Sequence, residues 1–404
     1  MRVAGLFSGI GGFELGLAAA GHETIMTSEV LPIAQSVMTA RLDGPEARGD
    51  VREIERLPAG TEVVVAGFPC QDLSQAGLTQ GLAGARSSLV GEIFRLAARS
   101  DVDWLVLENV PFMLQLRGGA AMRTIVAALE ELGYRWAWRV VDSNGFGLPQ
   151  RRERVYLVAS KVADPADVLF VDDAEMTRPT TALGRLAHGF YWTEGRGGLG
   201  WAVDAVPTLK NGSTLGIPSP PAILMPDGRV VTPDIRDAER MQGFDADWTL
   251  PAVEAGFRPG ARWSLIGNAV SVPVATWIGR RLECPGSYDR ARDADFPAAG
   301  KLPRAARFDG RRRHLVEIGP DPVGTRSVPL VDFLAHPGAK LSARATAGFL
   351  SRTRVARLRF APGFIDALEE HLSLMLAHAP AETTRKTKSY PLGGGNKMGS
   401  RRAA

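Results

Sequence analysis

Two apolar runs in this chain end on reactive side chains, and that restricts it to few folds. Val63-Val64-Val65-Ala66 leads into Gly67-Phe68-Pro69-Cys70-Gln71, and Trp104-Leu105-Val106-Leu107 leads into Glu108-Asn109-Val110. Helical patterns lie around them, over Phe13 to Ala20, Ser87 to Arg99 and Ala120 to Leu132. Uninterrupted apolar strands alternating with helices predict a mostly parallel sheet covered on both faces. Such an open sheet builds its active site beyond the carboxyl ends of its strands. A thiol and a carboxyl at two of those ends read as a nucleophile and an acid.

A glycine turn adds a ligand-binding feature. Val3-Ala4-Gly5-Leu6-Phe7 reads as the first strand and Glu23 to Ser28 as the second. Phe7-Ser8-Gly9-Ile10-Gly11-Gly12 joins the first strand to the helix that follows, where backbone approaches a ligand closely and takes positive φ. Glu29 closes the second strand, the usual place for an acid that binds ribose hydroxyls. A dinucleotide-dependent dehydrogenase would share this architecture, but nothing here supplies hydride chemistry.

Arg135 to Val141 and Val155 to Ala159 finish the sheet around the turn from Gly145 to Gln150, just before Arg151-Arg152-Glu153-Arg154. Beyond Ser160 the pattern breaks, and Pro, Gly and Asp are frequent. Helical periodicity returns at Ile235 to Met241 and at Ser271 to Leu282, with Gly267-Asn268-Ala269-Val270 between them. Later amphipathic stretches cover Leu341 to Leu350 and Phe364 to Leu376. The expected organisation is a catalytic domain over 1–160, an inserted domain over 161–228 and a return to the catalytic domain over 229–284. An extension over 285–379 and a disordered basic tail over 380–404 follow.

Charge is unevenly spread. Residues 1–278 carry 25 Lys and Arg against 32 Asp and Glu, a net of −7, whereas residues 279–404 carry 23 against 12, a net of +11. A basic terminal region is the footprint of a polyanionic partner. Cys70 and Cys284 are the two cysteines, too few for a disulfide framework or a zinc knuckle, which places the chain in a reducing compartment. Its longest apolar run falls short of the roughly 18 residues of a membrane span. Ser8, Glu14 and the glycines from Gly5 to Gly12 break up the apolar amino terminus, so it is not read as a secretion signal. The expectation is a cytoplasmic, nucleoid-associated protein without membrane partners.

Taken in order, the blocks Phe7 to Gly12, Gly67 to Gln71, Glu108 to Val110, Gln150 to Arg154 and Gly267 to Val270 resemble the DNA cytosine-5 methyltransferases, over about residues 2–282. The resemblance implies an α/β, Rossmann-like doubly wound sheet with a small irregular target-recognition domain, here the insertion, and a C-terminal extension. It implies S-adenosylmethionine as cofactor, no metal, and Phe7, Ser8, Gly9, Gly11, Gly12, Glu29, Asp50, Pro69, Leu89 and Asn268 around it. Gly5 departs from the family, which usually has Asp there.

Cys70 would be the nucleophile. Carbon 5 of cytosine is too electron-poor to attack a methyl sulfonium, and a thiolate adding at carbon 6 makes it an enamine carbon. Glu108, protonated, would neutralise charge growing towards ring nitrogen 3. Arg154 would hold the cytosine O2 and Arg152 brace the loop. Gln71 and Ser74, on a long loop running to Leu89, match positions that touch DNA or fill the vacated space. Thr208-Leu209 resembles a Thr-Leu pair of the recognition region, with Lys210, Asn211, Ser213 and Thr214 as further DNA donors. Arg240 also counts among the DNA-binding candidates. The implied partner is duplex DNA, with a restriction nuclease or other defence proteins alongside. A tRNA cytosine-5 methyltransferase shares the catalytic set, and a silent DNA-binding protein could keep the fold.

Overall fold

The computed structural model describes residues 1–69, 89–212 and 218–378. Cys70, Gln71, Ser74, Ser213, Thr214 and the basic tail lie outside the described residues.

Seven strands make the expected sheet: β1 Arg2–Leu6, β2 Glu23–Ser28, β3 Glu46–Arg48, β4 Val63–Gly67, β5 Trp104–Asn109, β6 Arg135–Asp142 and β7 Glu153–Ser160. They lie in the order β6-β7-β5-β4-β1-β2-β3. The pairings from β5 to β3 are parallel, while β7 is antiparallel to both β5 and β6. Strand order reverses between β1 and β4, the switch point at which such sheets open a ligand crevice.

Alternation along the strands explains their unbroken apolar character. Val63 and Val65 point to one face, against Phe13 and Leu17 of α1 (Gly12–Ala18) and Val274, Ala275 and Ile278 of α2 (Val272–Glu283). Val64 and Ala66 point to the other, against Ile93, Phe94 and Leu96 of the helix Leu89–Ser100 and Met122, Ile125 and Leu129 of the helix Ala120–Glu131. Each fully buried Phe or Ile contributes about 1.5–3 kcal/mol. The return segment thus supplies a helix of the catalytic core from more than a hundred residues away in sequence.

The extension is built into both halves of the molecule. Ala305–Phe308 pairs antiparallel with β6, and Arg313–Val316 and Asp293–Asp295 follow, so the sheet has ten strands among the described residues. Trp136 stacks on Trp138 at 4.8 Å and on Phe308 at 6.1 Å across this junction. Buried Arg307 is paired with Asp164 and Asp293, which satisfies its charge where water is excluded.

A second sheet runs Ala202–Val203, His188–Phe190, Ala222–Leu224, Val230–Thr232, Ala339–Lys340. Its last strand comes from the extension, through Val231↔Lys340 and Thr232↔Ala339. Phe349 and Leu350 of the helix Ala343–Thr353, with Phe364 and Leu368 of the helix Phe364–Ala377, bury Phe190, Leu224 and Val230 beneath them. The insertion is therefore not irregular throughout: it carries very short strands whose apolar cover comes from the carboxyl-terminal end. Among the described residues no helix is long and apolar enough to cross a membrane.

Candidate active site

Backbone geometry at the end of β1 shapes the glycine turn. Phe7 adopts φ +55° and Gly11 φ +86°. The left-handed region costs a side-chain-bearing residue about 1–2 kcal/mol, so its use by Phe7 marks a conformation held for a purpose. The Ser8 N–H donates to the Ser28 carbonyl at 3.0 Å and the Gly11 N–H to the Ser8 carbonyl at 2.9 Å. Glu29 locks the turn to the end of β2. Its Oε2 accepts from the Gly9 N–H at 2.9 Å and its Oε1 from the Leu31 N–H at 2.8 Å.

This turn borders a recess of about 580 Å³, the size of a small-molecule site. Phe7, Gly9, Glu29, Asp50, Pro69 and Leu89 line it together with Glu108, Arg152, Arg154, Asn211 and Asn268. Ser8, Gly11 and Gly12 are not among its lining residues and shape the turn. Asp50 caps the short helix Val51–Glu53, and its hydrogen-bonded pairing with Arg52 holds the carboxyl down at about 2. It therefore presents a carboxylate to the recess across the physiological range.

Glu108 sits at the far end of β5, beside Gly67 in the register with β4. Its Oε1 lies 3.1 Å from Arg154 Nε. Burial pushes the Glu108 carboxyl up, while the guanidinium groups of Arg154 and Arg152 oppose that shift. A buried acid of this kind holds its proton to higher pH than an exposed carboxylate, while the neighbouring cations favour its release.

The two arginines divide the work by burial. Arg152 is fully enclosed and its side chain donates to three carbonyls: Leu209 at 3.1 Å, Gly267 at 3.2 Å and Ala269 at 2.7 Å. Burial lowers it to about 9, so it stays cationic at neutral pH. It clamps the insertion to the return segment. Arg154 keeps an edge open to the recess and pairs with Glu108.

Asn109 carries a role the sequence reading did not assign. Its Nδ2 donates to the Phe68 carbonyl at 2.9 Å and its Oδ1 accepts from the Val110 N–H at 2.8 Å. It thereby ties the backbone leading to Cys70 onto the strand bearing Glu108. Asn268, expected beside the cofactor, is exposed at the rim of the recess, and among the described residues no hydrogen bond joins it to Phe68 or Pro69. A polar residue directly after a catalytic strand end was the available signal for Asn109.

On the recognition side, Thr208 Oγ1 donates to the Arg151 carbonyl at 2.8 Å and the Leu209 N–H to buried Gln150 Oε1 at 2.9 Å. Gln150 also donates to the Met241 carbonyl. Lys210 pairs with Glu194 and lies 4.0 Å over the Tyr191 ring, and burial lowers its pKa. Arg240 is placed differently from the other candidates. Its guanidinium bonds Asp237 and the Phe333 carbonyl, each at 2.7 Å, and covers the Phe333 ring, fastening the return segment to the extension.

Glu14 is the surprise beneath the turn. It is 2% exposed, and among the described residues neither carboxylate oxygen has a hydrogen-bond partner. A side chain at position 5 would fall on Glu14 Oε1, so this helix carboxyl fills the space a strand Asp would take in a typical family sequence. Burial pushes it up to about 7. The folded chain thus binds this proton more tightly than the unfolded one. That contribution to stability is full below about pH 4.5 and is lost as pH rises through about 7. Glu14→Gln, which removes the titrating proton, should lose less melting temperature than wild type between pH 5 and pH 8, the difference being on the order of 2–4 °C. Parallel melting profiles across that range would exclude the assignment.

The architecture is that of the α/β methyltransferases. S. pombe Dnmt2 methyltransferase superposes with a TM-score of 0.51 at 17% identity, over 70% of this chain and 98% of that one. Residues 1–189 match the family model for C-5 cytosine-specific DNA methylase. Type II methyltransferase M2.BsuMI of Bacillus subtilis (strain 168) is 45% identical over 386 residues, 91% of this chain and 97% of that protein. Type II methyltransferase M.NlaX of Neisseria lactamica is 29% identical over 315 residues, 70% of this chain and 96% of that protein. The chain belongs to the C-5 cytosine-specific DNA methylase family and is a DNA cytosine methyltransferase.

Proposed function

We propose that the chain methylates carbon 5 of a cytosine swung out of a specific duplex DNA sequence, through a transient bond between the Cys70 sulfur and carbon 6. The observation that carries this reading is the Glu108–Arg154 pair, set in one recess with the glycine turn and the strand end that leads to Cys70. The residues present fit S-adenosylmethionine. Glu29 and Asp50 offer carboxylates to a nucleoside, Phe7 offers an apolar wall, and the volume suits a ligand of that size. When bound, the cofactor supplies an electrophilic methyl group.

The protein's own groups then act in sequence. Cys70 adds as thiolate to carbon 6, forming a sulfur–carbon bond while the displaced electron pair moves towards nitrogen 3. Glu108 delivers its proton there, and Arg154 holds the neighbouring carbonyl oxygen. Carbon 5, now nucleophilic, accepts the methyl group. Water takes the carbon 5 proton, the electron pair of that bond reforms the 5,6 double bond and expels the Cys70 thiolate, and the proton on nitrogen 3 returns to Glu108 as the ring is restored. Because the target atom is shielded inside a stacked duplex, the base has to leave the helix first.

The type II relatives support a restriction-modification setting, with a nuclease or other defence proteins as partners and the bacterial cytoplasm and nucleoid as location. The test is a duplex carrying 5-fluorocytosine at the target position, incubated with the methyl donor. Fluorine cannot leave as a proton does, so an adduct should survive denaturation. Absence of an adduct would sink the covalent mechanism, and trapping on tRNA in preference to duplex DNA would redirect the substrate.

A further inference from the structure

The extension carries a basic corner that the catalytic machinery does not use. Between the helices Ala343–Thr353 and Phe364–Ala377 the chain reads Arg352-Thr353-Arg354-Val355-Ala356-Arg357-Leu358-Arg359. Arg354, Arg357 and Arg359 are exposed. Arg354 has a loose partner in Glu369 at 3.7 Å, and no carboxylate among the described residues pairs with Arg357 or Arg359. Val355, 70% exposed, stands among them. A solvated helix surface usually intersperses both signs; this segment has none of the opposite sign.

Its position relative to the recess is fixed by one loop. Arg352 donates to the Glu194 carbonyl at 2.8 Å and the Trp192 carbonyl at 2.5 Å. The carboxylate of the same Glu194 pairs with Lys210. The backbone of Lys210 and Asn211 in turn packs so tightly on Gly267 that no Cβ would fit there, and Asn211 lines the recess. Exposed Arg196 lies on that loop and its charge is felt by Arg352. The loop carrying Trp192, Glu194 and Arg196 therefore links Lys210, beside the recess, to Arg352 and the segment that holds Arg354, Arg357 and Arg359.

We propose that this corner binds the phosphodiester backbone of duplex DNA flanking the methylated site. The inference rests on the substrate reading above and assigns part of the extension a share in DNA affinity. Phosphate contacts of this kind position the duplex without reading sequence. They reveal themselves through salt, because each neutralised phosphate releases counterions and adds about 0.9 to the slope of log K against log salt.

The experiment compares the full-length wild type with Arg354→Ala/Arg357→Ala/Arg359→Ala by titrating target and unrelated duplexes at several salt concentrations. The expected result is a slope shallower by about 2–3 for both duplexes, with S-adenosylmethionine affinity and thermal unfolding unchanged. The triple Arg→Lys variant should keep the wild-type slope. An alanine variant with an undiminished slope overturns the proposal, as does a lysine variant that behaves like alanine. A wild type that fails to bind duplex DNA would instead defeat the substrate reading, and this surface with it.

Discussion

Replacing Cys70 by serine is expected to leave labelled-methyl transfer to duplex DNA at least about a thousandfold below wild type. Oxygen at that position is a poor nucleophile at neutral pH, because an alcohol is almost wholly protonated where a thiol is partly ionised. Donor binding should survive, since the glycine turn, Glu29 and Asp50 lie on other strand ends. Turnover near the wild-type rate would mean that carbon 5 is activated without sulfur. The measurement needs single-turnover conditions, so that slow product release does not hide a change in chemistry.

Glu108→Gln should lower the rate of the same step by about 10²–10³-fold while leaving donor affinity unchanged. The amide keeps the shape of the side chain and loses the transferable proton. The pH profile separates a chemical from a structural role. Burial raises the Glu108 pKa, so the protonated, active form persists to higher pH than for an exposed carboxylate. The wild-type rate should therefore fall as pH climbs through that raised pKa, and the amide variant should lose this limb. If both proteins kept the same alkaline limb, Glu108 would not be the proton donor.

The parts of the molecule legible from sequence are those where local chemistry and topology agree. Val63–Gly67 and Trp104–Asn109 could be read because strands buried on both faces must be continuously apolar, and their ends then fall at the crevice. Phe7, Glu29 and Glu108 could be placed for the same reason, Asp50 and Arg154 only through the family resemblance, and the recess gathers all five together. Arg240 could not, because a motif match does not say which neighbour captures a side chain: Asp237 with Phe333 holds it, just as Asn109, passed over in the sequence, holds the Phe68 turn. The second sheet escaped notice since strands of two or three residues, such as Ala202–Val203, are too short to show alternation. Glu14 escaped because nothing local shows that the space beside Gly5 is filled from a helix. The placement of Cys70 itself, outside the described residues, rests on the motif and on Pro69 at the recess.

The pairing of Val231 with Lys340 carries a consequence for how the protein matures. During synthesis His188–Phe190, Ala222–Leu224 and Val230–Thr232 leave the ribosome long before Ala339–Lys340 and the helices that cover this sheet. Closure of the sheet waits for residues 339–377, a non-local contact that is intrinsically slow to form. A nascent chain that has not yet reached Lys340 would thus lack the closing strand of this second sheet.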